Sequence, residues 1–365
     1  MPLTDIDAPR LGDSVADKLG NRNLIINGAM QVSQRTTSAT SVNSNGYHAL
    51  DRYRMSINGW TITMAQSTDA PEGFSNSLKV DITTADSSPS SGQYLVVTTR
   101  IEGQNLQHLN FGSSGAKETT ISFWVKSNKT GNASFNARQS DNSDKLFSAQ
   151  YSISSADTWE HKTISIPADT SGVINNDTGN GIQLEWWLDS GSTYTGGTHA
   201  TTWITNNHSN RNSTNLGVGG STDDEFYITG VQWEVGDVAT VFEHRSFGDE
   251  LARCQRYYYR LERVQDSDVI GTGYASSTAT LQSMINFPVT MRDNPTGLEQ
   301  TGTAGDYAIG HEGTASGCTT APTFLMATNT NARFYVSSTG NLTTGNGGQA
   351  RFNASGAYIA FSAEL

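Results

Sequence analysis

The sequence predicts an all-β protein: a jelly-roll β-sandwich, then a short helical linker, then a smaller C-terminal β-domain. Three observations carry this. In the 365 residues, charged side chains make up 16% and hydrophobic ones 35%, with 36 glycines, which leaves little of the Ala, Leu, Glu, Lys and Arg that build helices. Short apolar runs are punctuated by turn dipeptides such as Asn27-Gly28 and Asn58-Gly59. No 3.6-residue hydrophobic period intervenes between those runs. A chain of this length supports two domains with room for a small third piece.

In chain order, residues 1–20 form a polar leader. Leu11, Val15 and Leu19 recur every four residues, with Asp13 or Ser14 placed to cap and Gly20 to stop a short amphipathic helix. A helix this short does not hold alone, so its stripe is expected to dock on the following domain or on a separate protein. Residues 21–245 carry the sandwich, with strands expected at 24–26, 53–57, 78–82, 94–98, 121–126, 162–166, 182–188 and 226–235.

Side chains alternate faces along a strand. Ile121, Phe123 and Val125 therefore face one way, with Ser122, Trp124 and Lys126 opposite. Likewise Leu184, Trp186 and Leu188 share a face, leaving Glu185, Trp187 and Asp189 on the other. Phe226 and Ile228 are out of phase with Val231, Trp233 and Val235, which a bulge near Thr229-Gly230 reconciles.

Residues 246–263 are the helical linker. Phe247, Leu251, Cys254, Tyr258 and Leu261 follow 4,3,4,3 spacing, the pattern of a two-heptad seam between chains. The alternative is a helix lying on one domain, with residues 257–261 already a strand. Residues 264–365 read as a compact β-domain in which 285–291 and 357–365 alternate strictly. Open sheet edges on those two strands would favour association.

Charge and motifs remove several function classes. With Lys+Arg 23 against Asp+Glu 35 the formal charge is −12, which repels phosphate and argues against a nucleic-acid partner. No run is long enough to cross a bilayer and the N-terminus lacks a signal-peptide pattern, so a soluble protein made in the cytosol is expected, without membrane insertion. Cys254 and Cys318 have no metal-ligand spacing and are expected to be free thiols. None of the seven histidines forms a zinc-ligand pair, and there is no nucleophile elbow, phosphate-binding loop or dinucleotide fingerprint. Gly217-Val-Gly-Gly220 reads as a hairpin turn.

Glu185 with Asp189, and Asp223-Asp224-Glu225, are the carboxylate groupings that a glycosidase would draw on, since it needs two carboxyls about 5–9.5 Å apart. Solvated surface is the simpler account, and no catalytic residue is assigned. Asp223, Asp224 and Glu225 offer oxygen ligands for a structural calcium ion but lack a spaced ligand loop; no other cofactor is expected. Aromatics beside carboxylates and amides suit sugar rings, which stack on aromatic faces while their hydroxyls take planar polar partners. Trp124, Glu185, Trp187, Tyr194 and Trp203 are the glycan-binding candidates, unless a loop covers them.

Residues 23–38 (NLIINGAMQVSQRTTS) with 47–53 (YHALDRY) resemble the opening of a domain widespread in bacteriophage tail fibres. Residues 228–259 (ITGVQWEVGDVATVFEHRSFGDELARCQRYYY) resemble the join between that domain and a C-terminal head, and 357–365 (AYIAFSAEL) resembles phage fibre C-termini. The resemblance implies a virion structural protein with a carbohydrate-binding-module-like sandwich over 21–245, a homotrimer that recognises host surface polysaccharide or lipopolysaccharide. Residues 1–20 would then dock to other virion proteins, and the C-terminal tip would face the host. A tail fibre or tail appendage is the first reading. A head decoration or tail adaptor is the second, and a polysaccharide-degrading spike the third, although the long β-helical repeat of such spikes is missing.

Overall fold

The computed structural model describes residues 22–141, 144–265 and 268–365. The described residues divide into two compact units, one up to Glu250 with Leu365, and one from Leu251 to Glu364. The docking stripe of Leu11, Val15 and Leu19 lies outside the described residues. No described helix is long and apolar enough to cross a membrane.

The first unit is a sandwich of two six-stranded antiparallel sheets. Across the first sheet lie β1 (Ser38–Val42), β3 (Thr61–Ser67), β4 (Ser77–Thr84), β12 (Glu225–Val235), β6 (Thr119–Ser127) and β9 (Glu160–Ile166). Across the second lie β11 (Ile204–Thr205), β8 (Lys145–Ile153), β7 (Gly131–Gln139), β10 (Asn180–Ser190), β5 (Tyr94–Glu102) and β2 (Arg54–Asn58). The chain passes repeatedly from one sheet to the other, the wrapping of a jelly roll. The inner faces follow the alternation read from the sequence: Ile121, Phe123 and Val125 meet Leu184, Trp186 and Leu188 in one core. Trp186 stands edge-on to Phe123 and Phe135, with centroids 5.8 and 5.4 Å away, a favoured aromatic geometry.

The bulge on β12 is present. Its register with β6 shifts between Thr229 and Gln232, and Phe226, Ile228, Val231 and Trp233 all reach the core. Gly230 makes this possible with φ of +60°. A Cβ there would lie 2.7 Å from Phe74 Cζ and 2.9 Å from Trp124 Cδ1. Gly230→Ala therefore meets a left-handed backbone and a clash together, and is expected to cost about 2 kcal/mol. A urea midpoint unchanged from the wild type would refute that.

Residues 24–26, expected as a strand, are irregular. Two backbone bonds to β12, Leu24 N to Trp233 O and Val231 N to Gly28 O (both 2.9 Å), are supplemented by asparagine side chains: Asn23 Nδ2 donates to Val231 O (3.0 Å), and Asn27 Nδ2 donates to Val32 O and Asp51 O (2.8 and 2.9 Å). Ile25 is fully buried in the core all the same. Nor is 217–220 a hairpin. Val218–Gly220 is a 3-10 turn that packs on Trp60, whose Nε1 donates to Gly219 O (3.0 Å).

The proposed heptad seam does not exist as a helical stripe. Helix α1 spans only Phe247–Gln255, capped by Ser246 Oγ, which accepts from Asp249 N (3.2 Å). The aromatic run 257–259 then enters β13 (Tyr258–Glu262), so Tyr258 and Leu261 are strand residues. Cys254 and Tyr258 are fully buried within the chain, Leu251 is half-buried, Leu261 packs on the core of the second unit, and only Phe247 is exposed.

The second unit contains a closed barrel and a small sheet. The barrel order is β14 (Val269–Ala275), β15 (Thr280–Asn286), β19 (Asn331–Ser338), β18 (Thr314–Ala327), β17 (Tyr307–His311) and β20 (Gly347–Phe352). The sheet places β21 (Tyr358–Ser362) between β13 and β16 (Glu299–Gln300). Both strands expected to leave open edges are thus paired on each side, β15 by barrel closure and β21 by its neighbours. The run 285–291 stops being a strand after Asn286, just before Pro288, which cannot donate to a ladder. Among the described residues neither cysteine is in a disulfide, and both are buried.

Candidate functional site

The site is built on the outer face of the second sheet. Register fixes which side chains share it: Gln183 of β10 lies between Arg138 of β7 and Arg100 of β5, Glu185 between Asn136 and Thr98, and Trp187 between Ser134 and Val96. Strand β2 extends these rows, placing Arg54 opposite Thr98 and Ser56 opposite Val96. The segment between β10 and β12 folds back over the β7 side and brings Tyr194 and Arg211 onto the same face.

Glu185 is the pivot beneath this layer. It is fully buried, and its carboxylate accepts from Arg211 Nη2 (2.7 Å), Gln183 Nε2 (2.8 Å), Trp187 Nε1 (2.9 Å), Asn136 Nδ2 (3.1 Å) and Arg138 Nη1 (3.2 Å). Burial alone would raise its pKa; the guanidiniums of Arg211 and Arg138 overcome this and hold it at about 2. Arg211 in turn lies 4.8 Å over the Trp187 ring and 5.7 Å over Tyr194.

A cleft of about 240 Å³ opens beside this pivot. Its walls include Tyr94 and Tyr194, half-buried rings in edge-to-face contact with centroids 5.8 Å apart. Amides enter from Asn45 and Gln183, and guanidiniums from Arg54, Arg100, Arg138 and Arg211. Asn45 Nδ2 donates to Tyr94 Oη (3.2 Å), and Arg100 Nε to Gln183 Oε1 (2.8 Å). Planar donors thus surround an aromatic wall, a surface able to pair sugar hydroxyls and pack against a sugar ring.

The sequence-based candidates separate in space. Tyr194 lines the cleft. Trp187 borders it but is 1% exposed, its outer face taken by Arg211, so it supports the site rather than presenting a stacking platform. Glu185 is enclosed and cannot reach a ligand. Trp124 is on the first sheet, packed against His161 at 5.2 Å. Trp203 is half-buried against the core beside Phe111 and Phe147, with Nε1 donating to Pro167 O (2.7 Å).

The acidic turn is spoken for as well: Lys129 Nζ lies 3.5 Å from Asp224, and Lys79 Nζ 2.5 Å from Glu225. Among the described residues no three His, Cys, Asp or Glu side chains converge as a metal site. Arg54, Arg100, Arg138, Asn45 and Tyr94 escaped the sequence reading. Their signal was the same alternation, since Tyr94, Val96, Thr98 and Arg100 are spaced by two, as are Ser134, Asn136 and Arg138.

The second unit has a more open cleft of about 620 Å³, bordered by His311, Arg351 and the glycines 310, 347 and 348, with no Phe, Tyr or Trp in its lining. The cleft walled by Tyr94 and Tyr194 lies in the first unit.

No protein-family model matches the chain, and no curated protein matches it in sequence. Among solved structures it is similar to the enzymatically active domain of tailspike protein 4 of bacteriophage CBA120, at 13% identity and TM-score 0.32, over 59% of this chain and 21% of that one. It is also similar to a family 11 carbohydrate-binding module from Clostridium thermocellum in complex with a β-1,3-1,4-mixed-linked tetrasaccharide, at 13% identity and TM-score 0.29, over 56% of this chain and 99% of that one. A third is the CBM22-1–GH10 part of the xylanase 10B of the same organism, complexed with xylohexaose, at 11% identity and TM-score 0.29, over 60% of this chain and 29% of that one.

Proposed function

We propose that the first unit binds a saccharide in the cleft of the second sheet, and that the chain is a tail fibre or tail appendage of a bacteriophage that holds host surface glycan without cleaving it. The observation carrying the binding is the convergence of Tyr94 and Tyr194 with the amides of Asn45 and Gln183 and a set of guanidiniums in one cleft. The virion role, the tail position and the homotrimer rest on the sequence resemblance of residues 23–38, 47–53, 228–259 and 357–365 to phage fibres.

Absence of catalysis is supported by the state of the two carboxylates of β10. Glu185, ionised and saturated with donors, has no proton to give and no free oxygen to attack with. Asp189, expected on the face of Glu185 and Trp187, is set opposite the core residue Leu95 by a register shift; burial raises its pKa, and it accepts from Asn215 Nδ2 (2.8 Å) and from the backbone N–H groups of Ser190 (2.8 Å) and Gly219 (3.0 Å) away from the cleft.

The test is an array of bacterial surface oligosaccharides probed with the whole chain. Binding that falls about three- to tenfold in Tyr194→Ala, with no reducing ends released, is the expected result. Release of reducing ends would overturn the non-catalytic reading, and an array on which nothing binds would overturn the saccharide site. Antibody labelling of intact particles at the capsid rather than the tail would shift the role to head decoration, and a monomer by mass photometry would remove the trimer.

A further inference from the structure

Four guanidiniums line one small cleft of a chain whose formal charge is −12. Two of them are matched by side-chain carboxylates and a third by the carboxylate that ends the chain. Arg138 pairs with Glu185 (3.2 Å) and Asp144 (2.7 Å), and Arg211 pairs with Glu185 (2.7 Å). Arg100 is held by Gln183 Oε1 (2.8 Å) and donates from Nη1 to an oxygen of the terminal carboxylate of Leu365 (2.5 Å), a residue grouped with the first unit.

Arg54 is different. Its Nη1 donates to Ser56 Oγ (2.6 Å), and among the described residues no carboxylate pairs with it. It is half-buried and feels the like charge of Arg100, and both effects lower its pKa, burial more than repulsion. A guanidinium in that position gains from an anion and loses from crowding by other cations. Its planar fork matches a carboxylate through two parallel hydrogen bonds. The neighbouring Tyr94 and Asn45 supply a ring face and an amide for the rest of a sugar.

We infer that the cleft selects an acidic saccharide, with the sugar carboxylate received by Arg54 beside Arg100; this rests on the saccharide reading above and narrows it to a substrate class. Neutral sugars would leave Arg54 half-buried without a counter-charge, so preference for the acid arises from the cleft itself and not from the protein's overall field, which is negative.

The experiment titrates the full chain with glucuronate, glucose and acetate by heteronuclear NMR shift mapping, and repeats the series with Arg54→Gln. Glucuronate should bind about tenfold more tightly than either glucose or acetate, and the preference over glucose should shrink to within about twofold in Arg54→Gln. Raising the salt concentration should weaken glucuronate and leave glucose unchanged. Glucose binding as tightly as glucuronate would overturn the acidic preference while leaving the saccharide site standing. Acetate binding as tightly as glucuronate would keep the anion site and remove the saccharide. A preference that survives in Arg54→Gln, with its thermal unfolding as in the wild type, would show that Arg54 is not the contact, and binding of none of the three would overturn both readings.

Discussion

Glu185→Ala is expected to destabilise the first unit by about 3–5 kcal/mol, because it removes the buried counter-charge of Arg211 and one of the two carboxylates that pair Arg138, which keeps Asp144. Arg138 and Arg211 both lose their shared partner, and the indole N–H of Trp187 and the amides of Gln183 and Asn136 lose an acceptor. The same carboxylate makes stability depend on pH. Its pKa of about 2 when folded lies below the ordinary 4.5. The stabilisation is therefore complete above pH 4.5 and fades as pH falls towards 2, a contribution of about 3 kcal/mol at neutral pH. Glu185→Gln keeps the shape and some of the acceptor capacity, so it should fall between the wild type and Glu185→Ala and lose the part of the acid sensitivity that this group supplies. Urea unfolding at pH 7 and pH 3 reads all of this. A Glu185→Ala chain within about 1 kcal/mol of the wild type at pH 7 would show that the pivot is not the clamp its geometry describes.

What could be read from the sequence follows the range of the physics. The period of two along 121–126 and 184–188, and the phase change at Thr229-Gly230, are local properties of a strand, and they placed the core faces and the bulge before any pairing was known. The seam of Phe247 to Leu261 was read from spacing alone. Spacing cannot see that Tyr258 prefers to pair with Ser362, more than a hundred positions away. Which of the glycan candidates line a cleft is non-local in the same way: Tyr194 does, and Trp124 and Trp203 lie elsewhere. Trp187 does face away from the core, but what lies on it is Arg211, held there by a buried glutamate and by Asn136 Nδ2, which donates to Arg211 O (2.9 Å). The cleft itself needed strand order: Arg54, Arg100 and Arg138 share a face only because β2, β5, β10 and β7 lie side by side. Each arginine had the right phase in its own strand, and nothing local says that those strands are neighbours.

Adjacent tryptophans on β10 should divide stability from binding. Trp186 is fully buried between the sheets against Phe123 and Phe135, and its indole N–H has no hydrogen-bond partner among the described residues. Trp186→Ala is expected to cost about 3–5 kcal/mol, through lost burial and the cavity left between two sheets that cannot close fully around it. Trp186→Phe keeps most of the ring, gives up no hydrogen bond, and should cost much less. Neither change touches the cleft, so whatever protein remains folded should bind saccharide as the wild type does. Trp187→Leu works the other way. It retains apolar volume under the layer, but Glu185 loses the indole donor at 2.9 Å and Arg211 loses the ring 4.8 Å beneath it, so both Arg211 and Tyr194 are less firmly placed at the cleft wall. Saccharide affinity should then fall several-fold with a smaller loss of stability than in Trp186→Ala. Unfolding midpoints and binding isotherms on the three variants decide it: if Trp187→Leu binds as the wild type does, the ring under Arg211 is packing alone, and if Trp186→Phe weakens binding as strongly as Trp187→Leu, the two faces of the strand are coupled and the division fails.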